Sequence, residues 1–128
     1  MEKLRYGIFP NETFVDLSLY QFGYEECDPL HSFGPARRNH FLFHYILSGK
    51  GQLNAFNDRG VQNTYRLEGG QGFLIWPRQH TFYIADERSP WVYAWIEFDG
   101  LKARELVTQA GLSFNYPLYT SRDTEERE

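Results

Sequence analysis

Trp91-Val92-Tyr93-Ala94-Trp95-Ile96-Glu97-Phe98 is the stretch on which the reading of the chain turns. Successive strand residues point to opposite faces, so Trp91, Tyr93, Trp95 and Glu97 share one side. Val92, Ala94, Ile96 and Phe98 share the other. The second face is apolar throughout and reads as packing surface. The first is a row of rings that ends in a carboxylate. Rings with polar tips plus a charge suit a strand that lines a pocket for a small polar ligand. The same residues also suit a strand buried on both sides, because aromatic side chains are ordinary core material.

Outward from this strand, the chain reads as short strands joined by turns. Its 128 residues suffice for one domain. Phe41 to Ser48 is apolar and precedes Gly49-Lys50-Gly51, a tight turn. Gln52 to Phe56 and Val61 to Leu67 flank Asn57-Asp58-Arg59-Gly60, a hairpin loop. Gly72 to Trp76 stops at Pro77, and Thr81 to Ala85 is one more strand. On the N-terminal side, Thr13 to Tyr24 reads as one or two strands, and residues 1–12 as an arm broken at Pro10-Asn11. Cys27 to Asn39 reads as a loop because of Pro29, Gly34 and Pro35. Beyond the opening stretch the period changes. Ala103, Leu106, Val107 and Ala110 form a helical stripe, which predicts a helix over 101–110 with Asp99 as N-cap and Gly111 just past its end. Residues 113–128 read as a tail or linker. Many short strands with glycine-rich turns indicate an all-β barrel or sandwich with a C-terminal helix.

Composition excludes several classes. The formal net charge is −4, which disfavours a nucleic-acid grip by this segment itself. A single cysteine, Cys27, permits no internal disulfide, fits a reducing compartment, and reads as an inert strand residue. No apolar run approaches membrane-spanning length and the N-terminus lacks a signal core, so a cytoplasmic protein without a membrane partner is expected.

Three segments in order, HYILSGKGQL at 44–53, GGQGFLIWP at 69–77 and PWVYAWIEFDG at 90–100, resemble the N-terminal effector-binding domain of the arabinose-operon regulator (AraC) family of bacterial transcription factors. The resemblance covers roughly residues 13–112 and is greatest to members that sense sugars or oligosaccharides in Gram-positive bacteria. It implies a cupin-like double-stranded β-barrel (a jelly roll) over 13–112, a small-molecule sugar or oligosaccharide effector, and a homodimer. It also implies that DNA is contacted only through a C-terminal helix-turn-helix domain absent from this chain. By position, the ring that packs on the sugar matches Trp95, a second pocket position matches Tyr93, and a tyrosine of the preceding strand matches Tyr83. The family's arginine before the Gly-x-Gly turn matches Ser48, so that contact differs here; Arg37 or Arg38 is a candidate replacement. The arm that closes over the sugar corresponds to residues near Phe9-Pro10.

Sugars present apolar C–H faces and a rim of hydroxyls, which a flat ring and polar groups bind together. Candidate ligand-binding residues are therefore Trp95, Tyr93, Tyr83, His44, Ser48, Arg38 and Glu97. Trp91 reads as core, and Glu97 reads either as a rim group or as a structural residue at the barrel mouth. His44 shares a strand face with Ser48 by parity and offers hydrogen bonds.

The alternative from a different class is a small cupin metalloenzyme, an isomerase or dioxygenase. His40 and His44 are four residues apart, about 13 Å along a strand at about 3.3 Å per residue. That is too far for shared ligation at about 2 Å from an ion. His80 lacks the usual cupin spacing, since Arg78 and Gln79 separate it from Pro77 without a glycine, and His31 sits in a loop. No metal, cofactor or catalytic residue is expected. No nucleophile motif, phosphate-binding loop or Cys-x-x-Cys occurs.

Overall fold

A computed structural model describes residues 4–8, 18–36 and 39–120. Among the described residues, ten strands and one helix run in the order β1 (Leu4–Ile8), β2 (Ser18–Glu26), β3 (Ser32–Ala36), β4 (Phe41–Ser48), β5 (Lys50–Phe56), β6 (Gln62–Glu68), β7 (Gln71–Ile75), β8 (Thr81–Ala85), β9 (Val92–Asp99), α1 (Leu101–Gln109) and β10 (Leu118–Thr120). They form two antiparallel sheets, a six-stranded one ordered β1-β2-β9-β4-β7-β10 and a four-stranded one ordered β3-β8-β5-β6. This is the cupin-like barrel with its C-terminal helix. The stretch that opened the reading is β9, at the interior of the larger sheet between β2 and β4.

The two faces of β9 enter two separate cores. Tyr93, with Trp91 just ahead of the strand, joins Leu42, Ile46, Phe73 and Ile75 of the larger sheet and Leu53, Leu67, Tyr83 and Ala85 of the smaller one. That cluster fills the space between the sheets. On the outer face, Phe98 packs with Phe41, Leu74, Ala103, Val107 and Leu112, which seats α1 on the back of the larger sheet. A helix with its apolar side on a sheet face is the usual way both elements bury their hydrophobic surface.

The Ser-Gly-Lys-Gly turn and the Pro-Trp pair are one contact. Lys50 bridges Pro90 and its N–H donates to the Ser89 carbonyl at 2.7 Å. Gly49 has φ +84, and a Cβ there would lie 2.1 Å from the Pro90 carbonyl oxygen. A Cβ on Gly51 would lie 2.3 Å from the Trp91 ring, which itself donates from Nε1 to the Leu67 carbonyl at 3.1 Å. The turn glycines are thus there for close approach to the Trp91 segment as well as for turn geometry.

Five expectations about elements differ from the structure. The segment read wholly as loop contains β3, which pairs with β8 through Ser32↔Ile84, Phe33↔Tyr83 and Ala36↔Thr81. Gly34 and Pro35 are tolerated because β3 is an edge strand and its pairing is irregular between Phe33 and Ala36. Asp99 is not the helix cap; it ends β9, and Gly100 with φ 124 is the cap, without a side-chain hydrogen bond. Only glycine enters that backbone region easily, so the corner from strand to helix is glycine's. The helix ends one residue earlier than the stripe suggests, and its end is a full Schellman turn. Gly111 N–H donates to Thr108 at 3.0 Å and Leu112 N–H to Val107 at 3.2 Å, with Gly111 at φ +85. Within the span read as an arm, Leu4–Ile8 pairs with β2. Within the span read as a tail, Leu118–Thr120 pairs with β7.

Candidate functional site

Strand register builds the site. On the inner face of the larger sheet, Glu97, Trp95 and Tyr93 of β9 stand opposite Gln21, Gly23 and Glu25 of β2, and opposite Leu42, His44 and Ile46 of β4. Gly23 has no side chain, so one flank of the half-buried Trp95 indole has no cross-strand neighbour. On the other flank His44 lies 6.2 Å away between ring centroids.

Glu97 is the hub at one end of this row. It is 4 % exposed, so its charge depends on protein donors. Gln21 Nε2 donates to Oε2 at 2.5 Å and Trp95 Nε1 to the same oxygen at 3.2 Å. His40 Nε2 lies 2.5 Å from Oε1, and its Nδ1 lies 2.8 Å from Asn39 Oδ1. Tyr20 meets the His40 ring edge-on at 4.7 Å. The set combines an aromatic plane, a carboxylate, an amide and an imidazole.

The other candidates fall in different places. Tyr93, Tyr83 and His44 are 3 %, 4 % and 2 % exposed and belong to the packed interior. His44 stacks on Phe73 at 4.6 Å and takes Tyr93 and Tyr83 edge-on at 4.5 and 5.0 Å. Burial, with Tyr83 close by, holds the Tyr93 phenol well above its usual range, so it remains a donor. Ser48 does not share the surroundings of His44. The pairing of β4 with β9 is irregular between Ile46 and Ser48, which breaks the two-residue parity, and Ser48 is exposed. Arg37 and Arg38, and the closing arm near Phe9-Pro10, lie outside the described residues. Trp95 and Glu97 are therefore the candidates that the fold brings together at a partly accessible place.

Gln21, His40 and Gly23 were missed. Nothing local marks them: Gln21 and Gly23 reach the site through strand register, and His40 through its side-chain bond to Glu97, each with a residue more than fifty positions away. A second group was missed too. Glu25, Cys27 and His31 bring one ligand atom each within 4.8 Å of one another, and among the described residues they are the group of three or more His, Cys, Asp or Glu that does so. The Glu-x-Cys spacing at the end of β2 is its faint sequence signal. The remaining histidine, His80, is exposed and meets Phe56 edge-on at 6.2 Å.

Among solved structures, the fold is similar to that of the Escherichia coli protein YhaK, with a TM-score of 0.66 and 15 % identity over 93 % of this chain and 51 % of that one. It is also similar to Bacillus subtilis oxalate decarboxylase, with a TM-score of 0.57 and 8 % identity over 84 % of this chain and 34 % of that one. At such identities the likeness is one of fold. Among curated proteins, the Msm operon regulatory protein of Streptococcus mutans is 38 % identical over 119 residues, 93 % of this chain and 41 % of its own length. The raffinose operon transcriptional regulatory protein of Pediococcus pentosaceus is 34 % identical over 105 residues, 80 % of this chain and 36 % of its own length. The chain thus spans about two-fifths of the length of these relatives. The model of the AraC-like ligand binding domain matches residues 18–125, so the chain belongs to the AraC-like ligand-binding domain family.

Proposed function

We propose that the chain is the sugar-sensing domain of a transcriptional regulator, and that the effector rests on Trp95 and is held by Gln21, His40 and Glu97. The observation that carries the site is the pairing of a half-buried indole, whose cross-strand partner Gly23 has no side chain, with a carboxylate that already gathers three polar partners. The ring covers a sugar's C–H face while Glu97, Gln21 and His40 exchange hydrogen bonds with its hydroxyls. Tyr93, Tyr83 and His44 form the packed floor beneath it. A regulatory role stands above the small cupin metalloenzyme because the relatives are operon regulators. In the whole protein, DNA contact falls to helix-turn-helix units outside this chain, and the effector acts by its differential affinity for two arrangements of them. Such a regulator works in the cytoplasm; among the described residues no helix is long and apolar enough to cross a membrane.

A thermal-shift screen of mono-, di- and trisaccharides, raffinose among them, tests the reading. A bound sugar at about 100 times its Kd adds about 2.7 kcal/mol of stability. Trp95→Ala is expected to stay folded by circular dichroism and to weaken that sugar by about tenfold or more, about 1.4 kcal/mol. No stabilisation by any sugar, or an unchanged response in Trp95→Ala, overturns it. The same reading makes the chain a homodimer through the α1 side, where a groove of about 610 Å³ is lined by Phe43, Tyr45, Leu106 and Tyr119. Light scattering on wild type and Leu106→Glu distinguishes a dimer through this face from a monomer.

A further inference from the structure

β2 ends in a group of side chains that the sugar site leaves unused. Glu25 lies near the end of β2 and Cys27 follows its last residue, still tied to the neighbouring strand's lead-in through its N–H on the Trp91 carbonyl and packed in the inner core. After Cys27 the backbone turns sharply, with His31 N–H donating to the Asp28 carbonyl at 3.0 Å and Leu30 at φ 60. That turn returns His31 to the strand end, where its Nε2 lies 3.6 Å from Glu25 Oε2. The Cys27 Sγ completes a triangle whose members all lie within 4.8 Å of one another.

We propose that Glu25, Cys27 and His31 bind a borderline-soft divalent cation of the zinc class. A thiolate, an imidazole and a carboxylate are the three donor types that zinc takes, at about 2.3, 2.0–2.1 and 2.0–2.2 Å. Tetrahedral coordination at those lengths sets donor atoms about 3.3–3.6 Å apart. The His31–Glu25 distance already meets this, and small rotamer shifts close the remainder. A thiolate with an imidazole selects against magnesium and calcium, which prefer oxygen donors. Three protein ligands leave the fourth position to water.

Three further features suit such a site. Cys27 is 7 % exposed while Glu25 and His31 are only half-buried, so the ion reaches its sulfur ligand past two accessible ones. The Cys27 N–H is tied to the Trp91 carbonyl at 2.9 Å and the His31 carbonyl accepts from Ala85 N–H at 2.8 Å, which fixes both ligand backbones to neighbouring strands. Cys27 shares a buried cluster with Tyr93 and Trp91, which walls the sulfur side of the site from water. An ion here is held by none of His40, His44 and His80, so it differs from the metal centre that a cupin enzyme reading requires. It ties β2 to the turn leading into β3 and so links the two sheets.

The test is titration of chelator-stripped full chain with Zn²⁺ against a competing chromophoric chelator, and with Co²⁺ as a spectroscopic probe. One equivalent of Zn²⁺ and a thiolate-to-cobalt charge-transfer band are expected. Cys27→Ser is expected to abolish the band, and His31→Ala to weaken Zn²⁺ by about 10–100-fold or more. Glu87→Gln, in an exposed loop, is expected to change neither. If Cys27→Ser does not fold, His31→Ala, in a surface turn, carries the decision. Absence of a stoichiometric site, a cobalt spectrum without thiolate character, or a Zn²⁺ affinity unchanged in His31→Ala overturns the proposal. None of these outcomes depends on whether a sugar binds.

Discussion

Glu97 shows what a single residue can and cannot reveal. Its place on the ring-bearing face of β9 follows from strand parity alone. Its partners do not, because Gln21 and His40 lie 76 and 57 positions away. Removing a hydrogen-bonded buried carboxylate leaves its donors without an acceptor, which costs about 1–3 kcal/mol. Glu97→Ala is therefore expected to lower stability by about that amount in denaturant titrations, and Glu97→Gln by less, since an amide oxygen keeps one acceptor. Gln79 is a comparable case away from the site. It is 2 % exposed, donates to the Phe56 and Phe114 carbonyls at 3.0 and 3.1 Å, and accepts from Trp76 N–H at 3.1 Å. Gln79→Ala is expected to cost roughly 2–4 kcal/mol, because all three backbone groups lose their partner at once.

Among elements, the contact between the β4–β5 turn and the lead-in to β9 is the most sharply constrained. A methyl group on Gly51 meets the buried face of Trp91, which has no room to yield. Gly51→Ala is expected to destabilise the domain by about 1–3 kcal/mol or to displace Trp91, visible as a change in its fluorescence. The loop ahead of Pro90 is held by Asp86, whose Oδ2 accepts from Ser89 and Arg88 N–H groups, each at 2.9 Å. Those bonds, the one from Ser89 first, hold its carboxyl below the usual carboxylate range. Since the folded value is the lower one, the stabilisation is present above the unfolded value of about 3.9 and is lost as pH falls through the folded one. Amide exchange at Arg88 and Ser89 is expected to differ between wild type and Asp86→Ala at neutral pH, and to converge in strong acid.

For the whole molecule, two cores on the two sides of one sheet divide the labour. The outer one seats α1. The inner one fills the barrel with rings, and Phe73 sits at its centre beside His44, Tyr83 and Trp91. Phe73→Ala is expected to cost about 3–5 kcal/mol, against less than about 0.5 for exposed Leu47→Ala, measured by the same denaturant titration.

The local pattern was enough for the β-barrel class, the helix position and the two-faced character of β9, because strand and helix periods are properties of consecutive residues. It was enough to place Trp91 in the core and Gly111 at the helix end. It was not enough for β3, whose glycine and proline look like a loop until an edge position makes them tolerable. It misjudged Ser48, since a register irregularity shifts the face of a strand without leaving a mark in the residues. Above all, the sequence alone could not join Gln21, His40 and Glu97, or fold His31 back onto Glu25 and Cys27. Those groupings depend on which strands become neighbours and in what register, and that is settled by burying the whole apolar face at once.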